Sequence, residues 1–343
     1  MPRPTVLVAS HYDRQVIAEP LRRLSAWADA RDAYRGRCLT REELLDHLPG
    51  AHAVIASDEV YDEAILESAG HLTMIARDGT GYDAIDLDAA TRLGILVTRA
   101  PVLQDATANT TIGLMIALVR KIAVADRDLR DGRWNERDRW LAPDLTGLTL
   151  CVVGFGQVGK AVAKRAAALG MEVSTVHLAD LALTSNEAGT SDDIDKIVAA
   201  ADIVSLHLRR SPQTSRIIGA HFFDRMRRGA YFINTARGGL VDEAALHAAL
   251  AGGRLAGAAL DVFDEEPVRP DHPLLALDNV LCTPHFAGDT TTTMAMAVRT
   301  AMRQIEDGFA GRKPQYIVND NAWTDARVHD LADSGIMSKN SKT

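Results

Sequence analysis

Three polar side chains in the second half of the sequence are of types that move protons and hold acids, and each lies at or just beyond an apolar run: Arg237 in NTARGG, Glu266 in DVFDEEP and His285 in TPHFAG. Arginine offers a planar fork to a carboxylate and keeps its charge at any working pH. Histidine is the natural proton carrier near neutrality. A glutamate beside it orients the ring and holds the imidazolium. Moving a hydride to or from a carbinol or ketone carbon calls for this set, because proton and hydride travel separately.

The other chemical signal is LCVVGFGQVGKAVAKRAAALG, residues 150–170. An apolar run leads into Gly154, Gly156 and Gly159, and apolar residues then recur at helical spacing. In that strand, turn and helix setting, Gly-x-Gly-x-x-Gly marks a dinucleotide site. Gly154 permits the tight turn, Gly156 lets backbone approach a pyrophosphate, and Gly159 lets helix and strand pack closely. Gln157 and Val158 open the helix, whose positive end presents free N–H groups to the phosphates.

Elements must bring these residues together. Strands are expected at 5–9, 53–56, 72–76 and 95–98, alternating with helices at 15–29, 62–69 and 86–93. Ile17, Leu21, Leu24 and Trp27 share one face of the first helix. This alternation implies a parallel sheet covered on both faces. RDGTGYD follows the strand at 72–76, and its Gly79, Thr80 and Gly81 stand where such sheets bind ligands. A turn needing positive φ at both glycines is the other reading. One long helix is expected over 106–130, apolar nearly all round between 112 and 119, so a second domain or subunit must cover it. Trp134 and Trp140 follow in a charged loop that either wraps a neighbouring subunit or packs locally.

Beyond the glycine turn, strands at 171–178, 203–208, 230–234, 256–263 and 280–282 alternate with helices at 194–200, 222–226 and 243–251. The fold class expected is α/β, with two doubly wound parallel-sheet domains. Residues 1–101 form a flavodoxin-like substrate domain, completed by 289–320 with its long helix at 291–309, and residues 102–288 form a Rossmann cofactor domain. Residues 321–343 are expected to fray.

The 343 residues suffice for two cores. A net charge of -8 argues against nucleic acid as a partner. Three widely spaced cysteines, Cys38, Cys151 and Cys282, suit reduced thiols in a cytoplasmic protein. MPRPTVLVAS enters a strand without a signal-like apolar region, and no apolar segment approaches the ~18 to 20 residues of a membrane span. No metal is expected.

From 77 to 317 the sequence resembles the D-isomer-specific 2-hydroxyacid dehydrogenase family. The resemblance rests on RDGTGYDAIDLDAA, GLTLCVVGFGQVGKAVAKRAAALGMEV, ADIVSLHL, GAYFINTARGGLVDEAAL, GAALDVFDEEP and TPHFAG, in order. It implies an oxidoreductase that moves a hydride between NAD or NADP and a small D-2-hydroxy acid or 2-oxo acid. His285 would be the acid/base, Glu266 its partner and Arg237 the clamp on the 2-oxo acid. Backbone N–H groups around Gly79, Thr80 and Gly81 would hold the substrate carboxylate. Asp261 would lie near the nicotinamide carboxamide, Thr107 at the pyrophosphate, and His207 and Thr235 in the cofactor pocket. A homodimer through 106–130 is also implied, while the two-domain arrangement itself predicts a cleft that closes over cofactor and substrate, with hinges near Pro101 and Ala287. Some relatives with this fold act instead as cofactor-sensing corepressors and keep the same three residues. The lack of extra interaction segments or a basic face favours the enzyme.

The sequence departs from the family pattern in three places. The acid that binds the adenosine ribose is replaced by His177, with Asp180 three residues on, and Arg209 and Arg210 follow VSLHL where Pro and an uncharged residue are usual. Losing a carboxylate and gaining cations removes repulsion toward a 2′-phosphate, so NADP(H) is expected to be tolerated, with NAD the family default. Asn109, Thr110 and Thr111 stand where many members carry Val-Ala-Glu. Only about two dozen residues follow the exit of the last helix, after Asn319, so a regulatory C-terminal domain is expected to be absent. The substrate itself depends on side chains around His11, Tyr12, 57–60 and Tyr82.

Overall fold

The computed structural model describes residues 3–177, 192–324 and 327–329. Asp180 and the end of the chain therefore lie outside the described residues. The chain divides into two compact units, Met1–Leu103 with Asp289–Thr343, and Gln104–Gly288.

In the first unit, short apolar runs form parallel strands because both faces of the sheet are covered. Strands β1 (Thr5–Val8), β3 (Ala53–Ala56), β4 (Met74–Arg77) and β5 (Leu96–Thr98) are buried along their whole length. Strand β2 (Asp29–Asp32) closes one edge, and the order is β2-β1-β3-β4-β5, all parallel. The order reverses between β1 and β3, so β2 is reached on one side and the rest on the other. One face is covered by helices Ala18–Trp27 and Thr291–Phe309, through Leu24, Val298, Ala301, Ile305 and Phe309. Trp27 and Phe309 meet edge to face at 6.4 Å. The other face is filled by Leu44, Ile65, Leu66, Ala89 and Ala90. Helix Arg41–His47 begins with a capping box of Thr40 and Glu43.

In the second unit, β6 (Thr149–Val153), β7 (Glu172–Val176), β8 (Ile203–Leu206), β9 (Ala230–Asn234), β10 (Leu255–Leu260) and β11 (Val280–Cys282) form a parallel sheet. Its order is β7-β6-β8-β9-β10-β11, which reverses between β6 and β8, directly beside the glycine turn. Val204, Phe223, Phe232 and Leu246 pack one face, and Leu114, Met115, Val162 and Ile233 the other. The cysteines are free.

The single helix expected over 106–130 is two. Gln104–Val119 and Ile122–Arg130 meet at a bend of 60°. Lys121 takes the left-handed φ of 54° there, which ends the first helix. No glycine or proline marks the site. The burial changes instead: the first helix buries Leu114, Met115 and Val119, whereas the second exposes Ile122 and Leu129. Among the described residues no single helix is long and apolar enough to cross a membrane.

Candidate active site

The glycine turn is shaped by contacts that no side chain would permit. Gly154 has φ +97°, and a Cβ there would fall 2.6 Å from the carbonyl oxygen of His207. The end of β6 is thus pressed against the end of β8, where the strand order reverses. A Cβ on Gly159 would fall 2.1 Å from the Gly154 carbonyl oxygen, so this glycine seats helix Gln157–Ala168 on its strand. Gly156 is different. It caps the helix without a side-chain hydrogen bond, and nothing lies within 4 Å of a Cβ built on it. Open space therefore faces the N–H groups at the start of the helix, including those of Gln157 and Val158, and an anion the size of a pyrophosphate fits that arrangement.

The neighbouring polar residues are tied to this turn. Arg165, on the glycine-turn helix, donates to Asn109 Oδ1 at 2.7 Å and to Asp105 Oδ1 at 2.8 Å. Thr111 donates its hydroxyl to the Thr107 carbonyl at 2.8 Å. Its proton is thereby committed, so the 2.8 Å contact between Thr111 and Thr235 has Thr235 as donor. Thr235 then offers only lone pairs elsewhere. His207 contacts Ser205 Oγ through Nε2 at 2.9 Å, and burial pushes its pKa down to about 3, so the ring is neutral. His177 follows β7 and is exposed, its ring 6.0 Å from Phe155, and Lys160 Nζ stands 5.8 Å from the Phe155 centroid. Arg210 packs over Gly239: a Cβ there would lie 2.6 Å from its Nε.

Three turns carry the acid/base candidates. Asn234 ends β9, where its Oδ1 accepts the Ala236 N–H at 3.0 Å and its Nδ2 donates to the Arg237 carbonyl at 2.9 Å. Arg237 in turn donates to the Ala236 carbonyl at 2.7 Å. A Cβ on Gly238 would lie 1.8 Å from the Phe263 carbonyl carbon, so the Arg237 turn meets the loop after β10 backbone to backbone. In that loop Glu266 Oε1 accepts the Phe263 N–H at 2.9 Å, and Glu266 Oε2 takes His285 Nδ1 at 2.6 Å. The short distance is that of a charge-assisted bond.

Asp261 builds the turn that presents His285. Its backbone carbonyl accepts the His285 N–H at 2.8 Å. Its buried carboxylate accepts from Thr283 Oγ1 at 2.6 Å, Phe286 N at 3.1 Å and Ala287 N at 2.9 Å. His285 itself takes φ 51°, a left-handed conformation costly for a residue with a Cβ, and these bonds hold it there. Sequence reasoning did not single out Asn234, Gly238 or Thr283, and it marked Thr111 only as a departure from the family pattern, not as the partner of Thr235. Small and short polar residues flanking Arg237 and His285 were the available signal.

In the first unit, the loop of Gly79, Thr80 and Gly81 rests on a buried charge cluster. The Arg77 guanidinium pairs with Asp58 and, at 3.0 Å, with Asp78, and Ser57 Oγ donates to Asp78 Oδ2 at 2.9 Å. A Cβ on Gly79 would sit 3.2 Å from that guanidinium. Close approach, rather than a positive φ, is what calls for glycine at this position. Gly79 is buried, Gly81 half-buried and Thr80 exposed.

Residues 112–287 match the family model described as D-isomer specific 2-hydroxyacid dehydrogenase, NAD binding domain. A D-3-phosphoglycerate dehydrogenase of Archaeoglobus fulgidus is 41% identical over 255 residues, which are 74% of this chain and 48% of that protein. The chain thus spans about half of that relative's length. A glyoxylate reductase of Thermofilum pendens is 36% identical over 293 residues, 82% of this chain and 85% of its own. Among solved structures, an NADPH-dependent glyoxylate/hydroxypyruvate reductase from Sinorhizobium meliloti, in complex with NADP and malonate, aligns with a TM-score of 0.76 at 27% identity, covering 93% of this chain and 98% of that one. The chain belongs to the D-isomer specific 2-hydroxyacid dehydrogenase family.

Proposed function

We propose that the protein is an oxidoreductase that interconverts a small D-2-hydroxy acid and its 2-oxo acid, with NAD or NADP held at the glycine turn. The observation that carries this reading is the 2.6 Å contact of His285 Nδ1 with Glu266 Oε2, on a loop that touches the Arg237 turn. With Nδ1 engaged by a carboxylate, Nε2 is the nitrogen that gives a proton to the substrate oxygen in reduction and removes it in oxidation. Glu266 stabilises the imidazolium and keeps the ring oriented. Arg237 grips the 2-oxo acid with its fork. The substrate carboxylate is also the ligand we assign to the backbone N–H groups of Gly79, Thr80 and Gly81. With its pyrophosphate held at residues 154–159, the cofactor would supply or accept the hydride through its nicotinamide.

In this reading residues 102–288 are the cofactor domain, and residues 1–101 with 289–320 the substrate domain. Thr107, Gly154, Gly156, Gln157, Val158, Gly159, His177, His207, Thr235 and Asp261 line the cofactor site. With three donors already on its carboxylate, Asp261 has little left for the nicotinamide carboxamide. NADP(H) is accepted as well as NAD(H), because His177 stands where a ribose-binding carboxylate would repel a 2′-phosphate. Arg210, held over Gly239, is not needed for that argument. A homodimer in the cytoplasm, with no nucleic-acid or membrane partner, completes the reading. A second copy would cover the exposed Ile122, Leu129, Trp134 and Leu141.

The test is loss of reduced-nicotinamide absorbance on mixing the protein with NADH or NADPH and glyoxylate, hydroxypyruvate, pyruvate and bulkier 2-oxo acids. Turnover of at least one acid is expected, with NADPH used within about tenfold of NADH in kcat/KM. Cofactor binding with no turnover of any acid points instead to a cofactor-sensing binding protein.

A further inference from the structure

The loop that carries Glu266 is held by a second histidine and glutamate. Among the described residues, the backbone of 262–268 makes no hydrogen bond to another backbone group, so side chains must fix it. Two adjacent N–H groups are each taken by a carboxylate. Phe263 N donates to Glu266 Oε1 at 2.9 Å, and Asp264 N donates to Glu243 Oε1 at 2.9 Å. The other oxygen of Glu243 lies 3.1 Å from His272 Nε2.

The tautomer of His272 follows from its own turn. Its Nδ1 accepts the Leu274 N–H as the cap of the short helix Pro273–Ala276, so Nε2 carries the proton and donates to Glu243. The His272 ring also stands edge-on to Phe263 at 5.7 Å, against the residue whose N–H binds Glu266. On the far side, Arg216 pairs with the Asp264 carboxylate at 3.0 Å. Glu243 and His272 are both about four-fifths buried, at 19% and 21% exposure, so these contacts are shielded from competing water. Glu243 is the first residue of helix Glu243–Ala251, where an acid is favoured and its backbone is rigid. The brace therefore runs from a helix end, through one carboxylate, to two loops.

We infer that Glu243 and His272 are positioning residues: they fix the Phe263–Asp264 backbone and thereby aim Glu266 at His285. The inference rests on the reading of Glu266 and His285 as the proton-transfer pair. Neither Glu243 nor His272 touches substrate or cofactor in this scheme.

The experiment is a double-mutant cycle between Glu243→Ala and Glu266→Gln, read as the pH profile of kcat/KM for 2-oxo acid reduction. Glu243→Ala is expected to lower kcat about 3- to 10-fold, leave the cofactor KM within about twofold, and move the alkaline limb of the profile toward lower pH. In the Glu266→Gln background the same change should do almost nothing, because its effect passes through Glu266. His272→Gln should reproduce a milder version. A uniform loss of rate with an unmoved limb, additive with Glu266→Gln, overturns the inference and leaves Glu243 as scaffold. If Glu266→Gln alone leaves rate and profile intact, the acid/base reading itself is wrong and this inference falls with it. Should Glu243→Ala not fold, Glu243→Met keeps the length of the side chain while removing both acceptors, and carries the same cycle.

Discussion

His285 and Glu266 are 19 residues apart in sequence, yet His285 Nδ1 sits 2.6 Å from Glu266 Oε2. The intervening chain passes through the Pro273–Ala276 turn and β11 before returning, so only the parallel sheet brings the two together. One oxygen of Glu266 is spent on its own loop, through Phe263 N, and the other on the imidazole. The carboxylate is aimed by one bond and, in the proposed reaction, supports the imidazolium by the other.

Replacing His285 by Asn should lower kcat for 2-oxo acid reduction by about 10²- to 10⁴-fold, the usual worth of a positioned proton donor. Glu266→Gln should cost less, about 10- to 100-fold, because an amide still orients the ring but cannot hold its positive charge. Cofactor KM should stay within about threefold in both, since neither group binds it. Steady-state kinetics at saturating cofactor decide the matter. A Glu266→Gln enzyme with wild-type kcat would remove the pair from the mechanism.

Asp261→Asn tests what holds His285 in its left-handed turn. An amide in that position sets an NH2 against the N–H of Ala287, which the carboxylate accepts at 2.9 Å. The loss should destabilise the unit by about 1–3 kcal/mol and lower kcat about tenfold or more as the histidine relaxes. Thr283→Val removes only the 2.6 Å donor to Oδ1, so it should cost about 1 kcal/mol and leave kcat within about threefold. Thermal melts and kcat measured on both proteins separate the cases. Equal losses of rate in the two variants would contradict a turn organised by Asp261.

Where the sequence was legible, it was because chemistry and periodicity coincided. The glycine turn stood between an apolar strand and a helix, and Arg237, Glu266 and His285 each stood at the end of a strand in an unbroken alternation. Strand β2 was invisible to that reasoning. Its residues, Asp29–Asp32, are mostly exposed at a sheet edge, where charge discourages further pairing and hides the hydrophobic signal. The break at Lys121 left no mark because backbone conformation, not residue type, makes it. The strand read as 256–263 ends at Leu260 because Asp261 turns its side chain to residues more than 20 positions downstream. Partnerships such as Thr111 with Thr235, or Glu243 with His272, join residues 124 and 29 apart, and no local pattern announces them.

The two later glycines of the turn should fail differently when replaced by alanine. At Gly156 the backbone φ is -75° and a Cβ meets nothing within 4 Å, so the protein should fold with an unchanged Tm. The methyl group would stand in the space before the helix N–H groups, and cofactor KM should rise about tenfold or more. At Gly159 a Cβ would press to 2.1 Å on the Gly154 carbonyl, which should cost about 3 kcal/mol or prevent folding. Tm and cofactor titration on the two proteins provide the comparison. An unaltered cofactor KM in Gly156→Ala would mean that the pyrophosphate does not rest there.

Glu59 makes the stability of the first unit depend on pH. The residue is 2% exposed; burial, aided by the nearby charge of Asp78, pushes its carboxyl pKa from 4.5 up to about 7. The folded chain therefore keeps this proton to higher pH than the unfolded chain does. Its contribution to stability is complete below pH 4.5, falls as pH rises toward about 7, and is gone above that. The difference corresponds to a loss of up to about 3 kcal/mol across the window. Glu59→Gln abolishes the titration while its amide oxygen can still accept the Ser57 N–H now held at 2.8 Å. The other amide atom lacks a partner, as Glu59 Oε1 does, so the absolute stabilities of the two proteins differ for a reason unrelated to pH. The slope is the informative quantity. Denaturant unfolding from pH 4.5 to 8 should show the variant gaining on the wild type by up to about 3 kcal/mol, nearly all of it below neutrality. Parallel curves would show that Glu59 titrates alike in the folded and unfolded chains.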